Sequence, residues 1–194
     1  MNAQNMMIAI VVDNNDPEKQ GRVLLTIPAL PGGPQLWARV VAPYAGSDRG
    51  LCMLPEIDDE VLVFFTQGDL SGAYVLGSLW GAKKAPPEGS GEKGNDVKEI
   101  KTRSGHMLKF EDGDDNERIT LTDKNGNAIV ITTGEDCITI TSKSDVKINA
   151  DKNISLKANN ISLKAKEIKI EADSSLTLDG GSTADLKAGT VNIN

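Results

Sequence analysis

The stretch Ile154-Ser155-Leu156-Lys157-Ala158-Asn159-Asn160-Ile161-Ser162-Leu163-Lys164-Ala165-Lys166-Glu167-Ile168-Lys169-Ile170 decides the architecture. Its aliphatic residues stand in pairs two positions apart, Ile154/Leu156, Ile161/Leu163 and Ile168/Ile170, with mostly polar residues between the pairs. A spacing of two puts both members of a pair on one face of a short strand, and the residues between pairs supply a corner. Outward from this stretch the pattern continues. Upstream stand Ile119/Leu121, Ile129/Ile131, Ile138/Ile140 and Val146/Ile148; downstream stand Leu176/Leu178, the weaker Ala184/Leu186 and Val191/Ile193. The first members of successive pairs are 10, 9, 8, 8, 7, 7, 8, 8 and 7 positions apart, which is a structural repeat.

Seven or eight residues provide one strand and one corner, whereas a turn of single-chain solenoid takes on the order of 20 residues to enclose a core. Two aliphatic side chains per rung do not offset the entropy of ordering the whole rung. If three chains each contribute one face, every pair points into a shared core and strand hydrogen bonds join rung to rung. The repeat length therefore predicts a homotrimer whose core is built from Ile129, Ile131, Ile138, Ile140, Val146, Ile148, Ile154, Leu156, Ile161, Leu163, Ile168, Ile170, Leu176 and Leu178. Ten rungs at ~4.8 Å each give a needle roughly 50 Å long. From Thr141 to Asn194 eight Lys stand against seven Asp or Glu, a mixed polar surface that also discourages lateral sheet pairing. Proline, which cannot donate to a strand ladder, is absent there.

Composition divides the 194 residues in two. All seven aromatics lie at or before Phe110 and all eight prolines at or before Pro87. Between the halves runs the linker-like Gly81-Ala82-Lys83-Lys84-Ala85-Pro86-Pro87-Glu88-Gly89-Ser90-Gly91-Glu92-Lys93-Gly94. Strands are expected at Met7–Val12, around Val23, Leu25 and Ile27, at Trp37–Val41, at Val61–Phe65 and at Ala73–Gly77, with no helical period anywhere. Five short strands in some 75 residues suit a closed barrel, most economically an OB-fold. The expectation is an all-β chain. Residues 1–85 form an OB-fold collar, 86–117 a linker leading into the needle, and 118–194 an intertwined homotrimeric triple-stranded β-helix, or β-prism.

A net charge of −7 and a pI near 4.8 argue against nucleic-acid or anionic-membrane binding. No apolar run approaches a bilayer span. The N-terminal residues Met1–Asn5 lack the basic start of a secretion signal, so synthesis in the cytoplasm is expected. Cys52 and Cys137 stand too far apart for a metal-ligand spacing and exclude a disulfide framework; both are expected as small buried side chains.

Several segments together resemble the spike proteins of contractile injection systems, the family of phage baseplate protein V, the tail-spike hub of T-even phages and the VgrG proteins of type VI secretion. They are Asp16-Pro17-Glu18-Lys19-Gln20-Gly21-Arg22-Val23, Trp37-Ala38-Arg39-Val40, Ala42-Pro43-Tyr44-Ala45-Gly46, Leu54-Pro55-Glu56-Ile57-Asp58-Asp59-Glu60-Val61-Leu62-Val63 and Val75-Leu76-Gly77-Ser78-Leu79-Trp80. After the linker, Thr102-Arg103-Ser104-Gly105-His106 and Phe110-Glu111-Asp112 resemble the start of that family's β-helix. The resemblance implies a baseplate spike, from a phage tail, bacteriocin, type VI apparatus or related particle, that pierces a target envelope on sheath contraction. It implies no enzyme, cofactor, metal or small-molecule substrate. With no hub domain before the barrel, a separate hub protein is expected at the OB end. Thr190-Val191-Asn192-Ile193-Asn194 lacks the His-x-His iron site of some small phage spikes, so Val191, Asn192, Ile193 and Asn194 are expected to meet a tip protein of the PAAR type. Assembly places the protein in a phage-tail-like particle released or injected outside the cell. The alternatives are an OB carbohydrate-binding module on a β-helical stalk, a β-helix polysaccharide lyase, and a fragment of a longer VgrG.

Individual chemistry-bearing residues read as structural. His106, the only histidine, lies in a turn with no nucleophile motif nearby. The run Glu111-Asp112-Gly113-Asp114-Asp115-Asn116-Glu117 fails the calcium-loop patterns and reads as a solvated turn. Glu56, Asp58, Asp59 and Glu60 read as an acidic turn rather than a glycosidase pair. The N-terminal half lacks the basic groove of a single-strand binder, and its aromatics fall at strand positions expected to pack in the core.

Overall fold

The computed structural model describes residues 6–30, 32–66, 70–114 and 116–192. They fall into two compact units, one ending at Asp145 and one beginning at Val146.

The first unit starts with a barrel. Its strands are β1 (Met6–Asp13), β2 (Arg22–Thr26), β3 (Leu36–Val40), a two-residue hairpin β4 (Ala45–Gly46) and β5 (Arg49–Gly50), β6 (Glu60–Phe65) and β7 (Ala73–Ser78). The barrel closes in the order β1-β2-β3-β7-β6, with β6 returning to β1. Every pairing is antiparallel except β3 with β7, which run parallel through Arg39↔Tyr74 and Val40↔Val75. This is the five-stranded, partly Greek-key closure of an OB-fold. All five expected strands are present within about two residues of their expected bounds. Alternation fills the interior: Ala9 and Val11, Val23 and Leu25, Ala38, Val61 and Val63, and Val75 are fully buried. Only one aromatic, Phe65, belongs to this core. Tyr44 and Trp80, expected inside, are exposed, because both lie beyond the strands that enclose the barrel.

After the linker, β8 (Val97–Lys101), β9 (Met107–Glu111), β10 (Arg118–Thr122), β11 (Ala128–Thr132) and β12 (Cys137–Thr141) form a sequential antiparallel meander. Sequence reading assigned 97–117 to the linker region and the pairs at 119–140 to the needle; within the chain these strands pair with one another. The reason lies in the repeat length. Steps of 10 and 9 residues leave room for a five-residue strand and a four- or five-residue turn that reverses the chain. The later steps of 7 and 8 leave room only for shorter turns. The meander is tied to the barrel by Arg103 Nη1 to Glu56 Oε2 at 2.9 Å.

The second unit has no strand pairing within the chain among its described residues. Bends or turns fall at 151–152, 159, 166, 173–174, 181–182 and 189, seven or eight residues apart. The pairs Ile154/Leu156, Ile161/Leu163, Ile168/Ile170, Leu176/Leu178 and Ala184/Leu186 each lie on the straight piece between two of them. No described residue of the chain is α-helical, and no helix among the described residues is long and apolar enough to cross a membrane.

Candidate functional site: an exposed aliphatic face

The meander registers bring alternate residues of neighbouring strands together. On one face Ile100 stands opposite Leu108, Leu108 opposite Leu121, and Phe110 opposite Ile119. Ile119 then faces Ile131, Leu121 faces Ile129, Ile129 faces Ile140 and Ile131 faces Ile138. The opposite face carries Lys109, Thr120 and Val130 in one row and Glu111, Arg118 and Thr132 in another.

A half-covered sheet ordinarily puts its aliphatic face inward. Here the assignment is reversed. Thr120, Thr122, Val130 and Thr132 are half-buried, while the apolar face is open except at the half-buried Leu108, from 38% exposure at Phe110 to 67% at Ile138. The polar face has its own bonding. Glu111 accepts from Arg118 Nε at 2.7 Å and from Lys109 Nζ at 3.0 Å. Burial acts to raise the Glu111 carboxyl, but these two cations outweigh it and hold the group below the usual carboxylate range. Glu111 is thus an ion-paired strand end, not part of a solvated turn.

Of the proposed core residues, Ile129, Ile131, Ile138 and Ile140 share the open face of the meander. Val146, Ile148, Ile154, Leu156, Ile161, Leu163, Ile168, Ile170, Leu176 and Leu178 lie in the second unit, all more than half exposed. Val191 and Asn192 are exposed, and Ile193 and Asn194 lie outside the described residues.

The remaining candidates are scattered. His106 is an exposed turn residue whose backbone N–H donates to Thr102 Oγ1 at 3.0 Å. Glu56 and Asp59 close their turn on each other, Glu56 N–H donating to Asp59 Oδ2 at 2.9 Å, and Lys84 pairs with Asp59 at 3.0 Å. Cys52 is exposed and Cys137 half-exposed, so the expectation of burial fails for both. Cys52 sits on the long excursion between β3 and β6, and Cys137 at the mouth of the last strand. Among the described residues no cluster of His, Cys, Asp and Glu is placed to hold a metal ion. A cavity of 540 Å³ opens under the β4–β5 hairpin, lined by Val40, Tyr44, Leu51 and Met53 among others. Gly50 makes that hairpin possible: at φ +150° a Cβ would sit 2.7 Å from the Tyr44 carbonyl oxygen.

Two stacking contacts of the barrel were missed in the sequence. The faces of Trp37 and Tyr74 are covered by the guanidinium groups of Arg22 and Arg39, 5.6 and 5.8 Å from the ring centroids. Alternation alone carries no signal for such stacking, although each Arg stands on a strand next to its aromatic partner.

Residues 7–80 match the family model of the type VI secretion system/phage-baseplate injector OB domain. The matched residues are the closed barrel, and they contain every motif block before the linker that carried the resemblance. A curated relative, the actin cross-linking toxin VgrG1 of Vibrio cholerae serotype O1, is 35% identical over 89 residues. The alignment covers 44% of this chain and 8% of that protein, so the chain spans a small part of its relative's length. The cross-linking activity in that name is the relative's. Together the injector OB match and the VgrG relative support a VgrG-like resemblance and a structural role in a baseplate.

Proposed function

We propose that the chain is the subunit of a homotrimeric, non-enzymatic spike of a contractile injection particle. The observation that carries this is the reversed meander: nine aliphatic or aromatic residues on one sheet face, eight of them exposed, with the threonine-rich face half-covered. A contiguous exposed apolar face of this kind marks an interaction surface. Three copies related by a threefold axis would turn three such faces inward and bury them against one another. The second unit supports the same arrangement, since its corners recur at the period a one-strand-per-chain rung requires. In this reading the barrel (1–85) is a collar, 86–117 leads into the needle and carries the first two meander strands, and 118–194 is the needle, with the other three meander strands first and a triple-stranded β-helix beyond.

Its mechanism is mechanical. Force applied at the collar passes along a shaft in which each rung is bonded to the next and shared by three chains. A hub protein would hold the OB end, a PAAR-type protein would cap the end at Val191–Asn194, and the target envelope would be pierced on contraction. Light scattering on a size-exclusion column tests this. A trimer gives about 62 kDa, three chains of 20.7 kDa. A folded monomer of 20.7 kDa would overturn it.

A further inference from the structure

Three turns lie in series along the chain at one edge of the meander. In the β8–β9 turn, Thr102 Oγ1 accepts the His106 N–H. In the β10–β11 turn, Asp123 Oδ1 accepts the N–H groups of Asn125 and Asn127, each at 2.9 Å. After β12, Ser142 Oγ accepts the Ser144 N–H at 3.2 Å and donates to the Asp145 carbonyl at 3.0 Å. Each begins with a short oxygen-bearing side chain that caps its own turn. The first two turns also approach the next one. A Cβ on Gly105 would meet Lys124 at 3.7 Å, and one on Gly126 would meet the Lys143 stem at 3.3 Å.

The third turn differs from the others, because the chain does not come back into the sheet. Instead Asn127 reaches across to it. Its Oδ1 accepts the Lys143 N–H at 2.9 Å, while its Nδ2 donates to Asp123 Oδ2 at 2.7 Å. One amide therefore links a carboxylate in one turn to the backbone of the departing chain, with donor and acceptor both used. β12 is the outer strand of the meander and pairs only with β11 within the chain. Without a tether at Lys143, load on the departing chain would peel that strand from its end, one hydrogen bond at a time.

We propose that the Asp123–Asn127 turn is a latch that ends the antiparallel sheet at Thr141 and anchors the departing segment Ser142–Asp145 through Asn127. Gly126 belongs to the device, since a side chain at φ +86° would be strained and would crowd Lys143. The latch stands on bonds within one chain; only its mechanical use rests on the spike reading.

Hydrogen exchange on the full chain tests it, with Asn127→Ala, Asn127→Asp and the control Thr102→Ala. Asn127→Ala removes the acceptor. Asn127→Asp keeps it but sets a second carboxylate against Asp123. Both are expected to speed exchange in peptides covering 142–146 by about fivefold, the worth of one net hydrogen bond. Peptides from 7–80 stay unchanged, and Thr102→Ala loosens only its own turn. Unchanged exchange at 142–146 in both Asn127 variants would overturn the proposal. If either variant loses protection throughout the barrel, Asp123→Ala replaces it. That substitution removes the carboxylate that holds the Asn127 amide and should likewise speed exchange at 142–146; no change there counts equally against the latch. Solution mass measured on the same samples separates the two ideas: a monomeric wild type sinks the trimer and leaves the exchange comparison valid.

Discussion

Asp16 is a carboxylate surrounded by donors. Its oxygens accept the N–H groups of Glu18, Gln20 and Arg22 at 3.0, 2.8 and 3.2 Å, and Arg22 Nη2 at 2.8 Å. The Arg22 bond chiefly, then the backbone donors, hold the carboxyl far below the usual range, while burial works in the opposite direction. A lowered value in the fold means that the charged form stabilises the barrel above about pH 4 and that this contribution disappears as acid protonates it. Asp16→Asn is therefore expected to lower the thermal midpoint of the barrel at pH 7. The gap to wild type should narrow as the pH is brought down from about 4 to 2; melting curves across that range check it, and a constant gap would assign the loss to packing instead. The motif around Asp16 was visible in the sequence as a resemblance. Its job was not, because nothing in a linear string says that three N–H groups turn back on one side chain.

At the scale of the element, the barrel was the most legible part. The apolar runs Val23-Leu24-Leu25 and Val61-Leu62-Val63 mark the strands, and within each the first and third residues are the ones fully buried. Leu25→Ala is expected to cost about 2–5 kcal/mol, since its side chain is wholly enclosed, and chemical denaturation followed at the barrel measures it. Of the meander, β10, β11 and β12 were legible as strands but not as a sheet, while β8 and β9 fell in the stretch read as a linker. The two-residue pairing of aliphatics is identical in a hairpin and in a rung, and only the length of the connection distinguishes them. Ile131→Asp puts a carboxylate in the centre of the open face. It is expected to abolish the trimer while leaving the barrel's denaturation midpoint unchanged, a combination that sizing and denaturation of one sample can read. The β4–β5 hairpin was missed altogether, since two-residue strands give no alternation to detect.

For the whole molecule, the second unit carries the clearest sequence signal and the least support from its own chain. Ile154, Ile161 and Ile168 announce themselves by period, yet each is more than half exposed because its neighbours belong to other copies in the proposed assembly. Ile161→Asp would place three carboxylates about the axis, too costly to bury unpaired, and is expected to leave no folded trimer. A soluble Ile161→Asp trimer with unchanged melting would contradict the inward orientation of these pairs. That dependence gives the reversed meander a thermodynamic signature. A barrel that closes on itself unfolds at a temperature indifferent to dilution, whereas a shaft made by association obeys mass action and melts lower when the protein is dilute. One polypeptide should then show two transitions. In the proposed trimer the shaft's would move with concentration and the collar's would stay fixed, so the amount of chain present would govern when the needle forms.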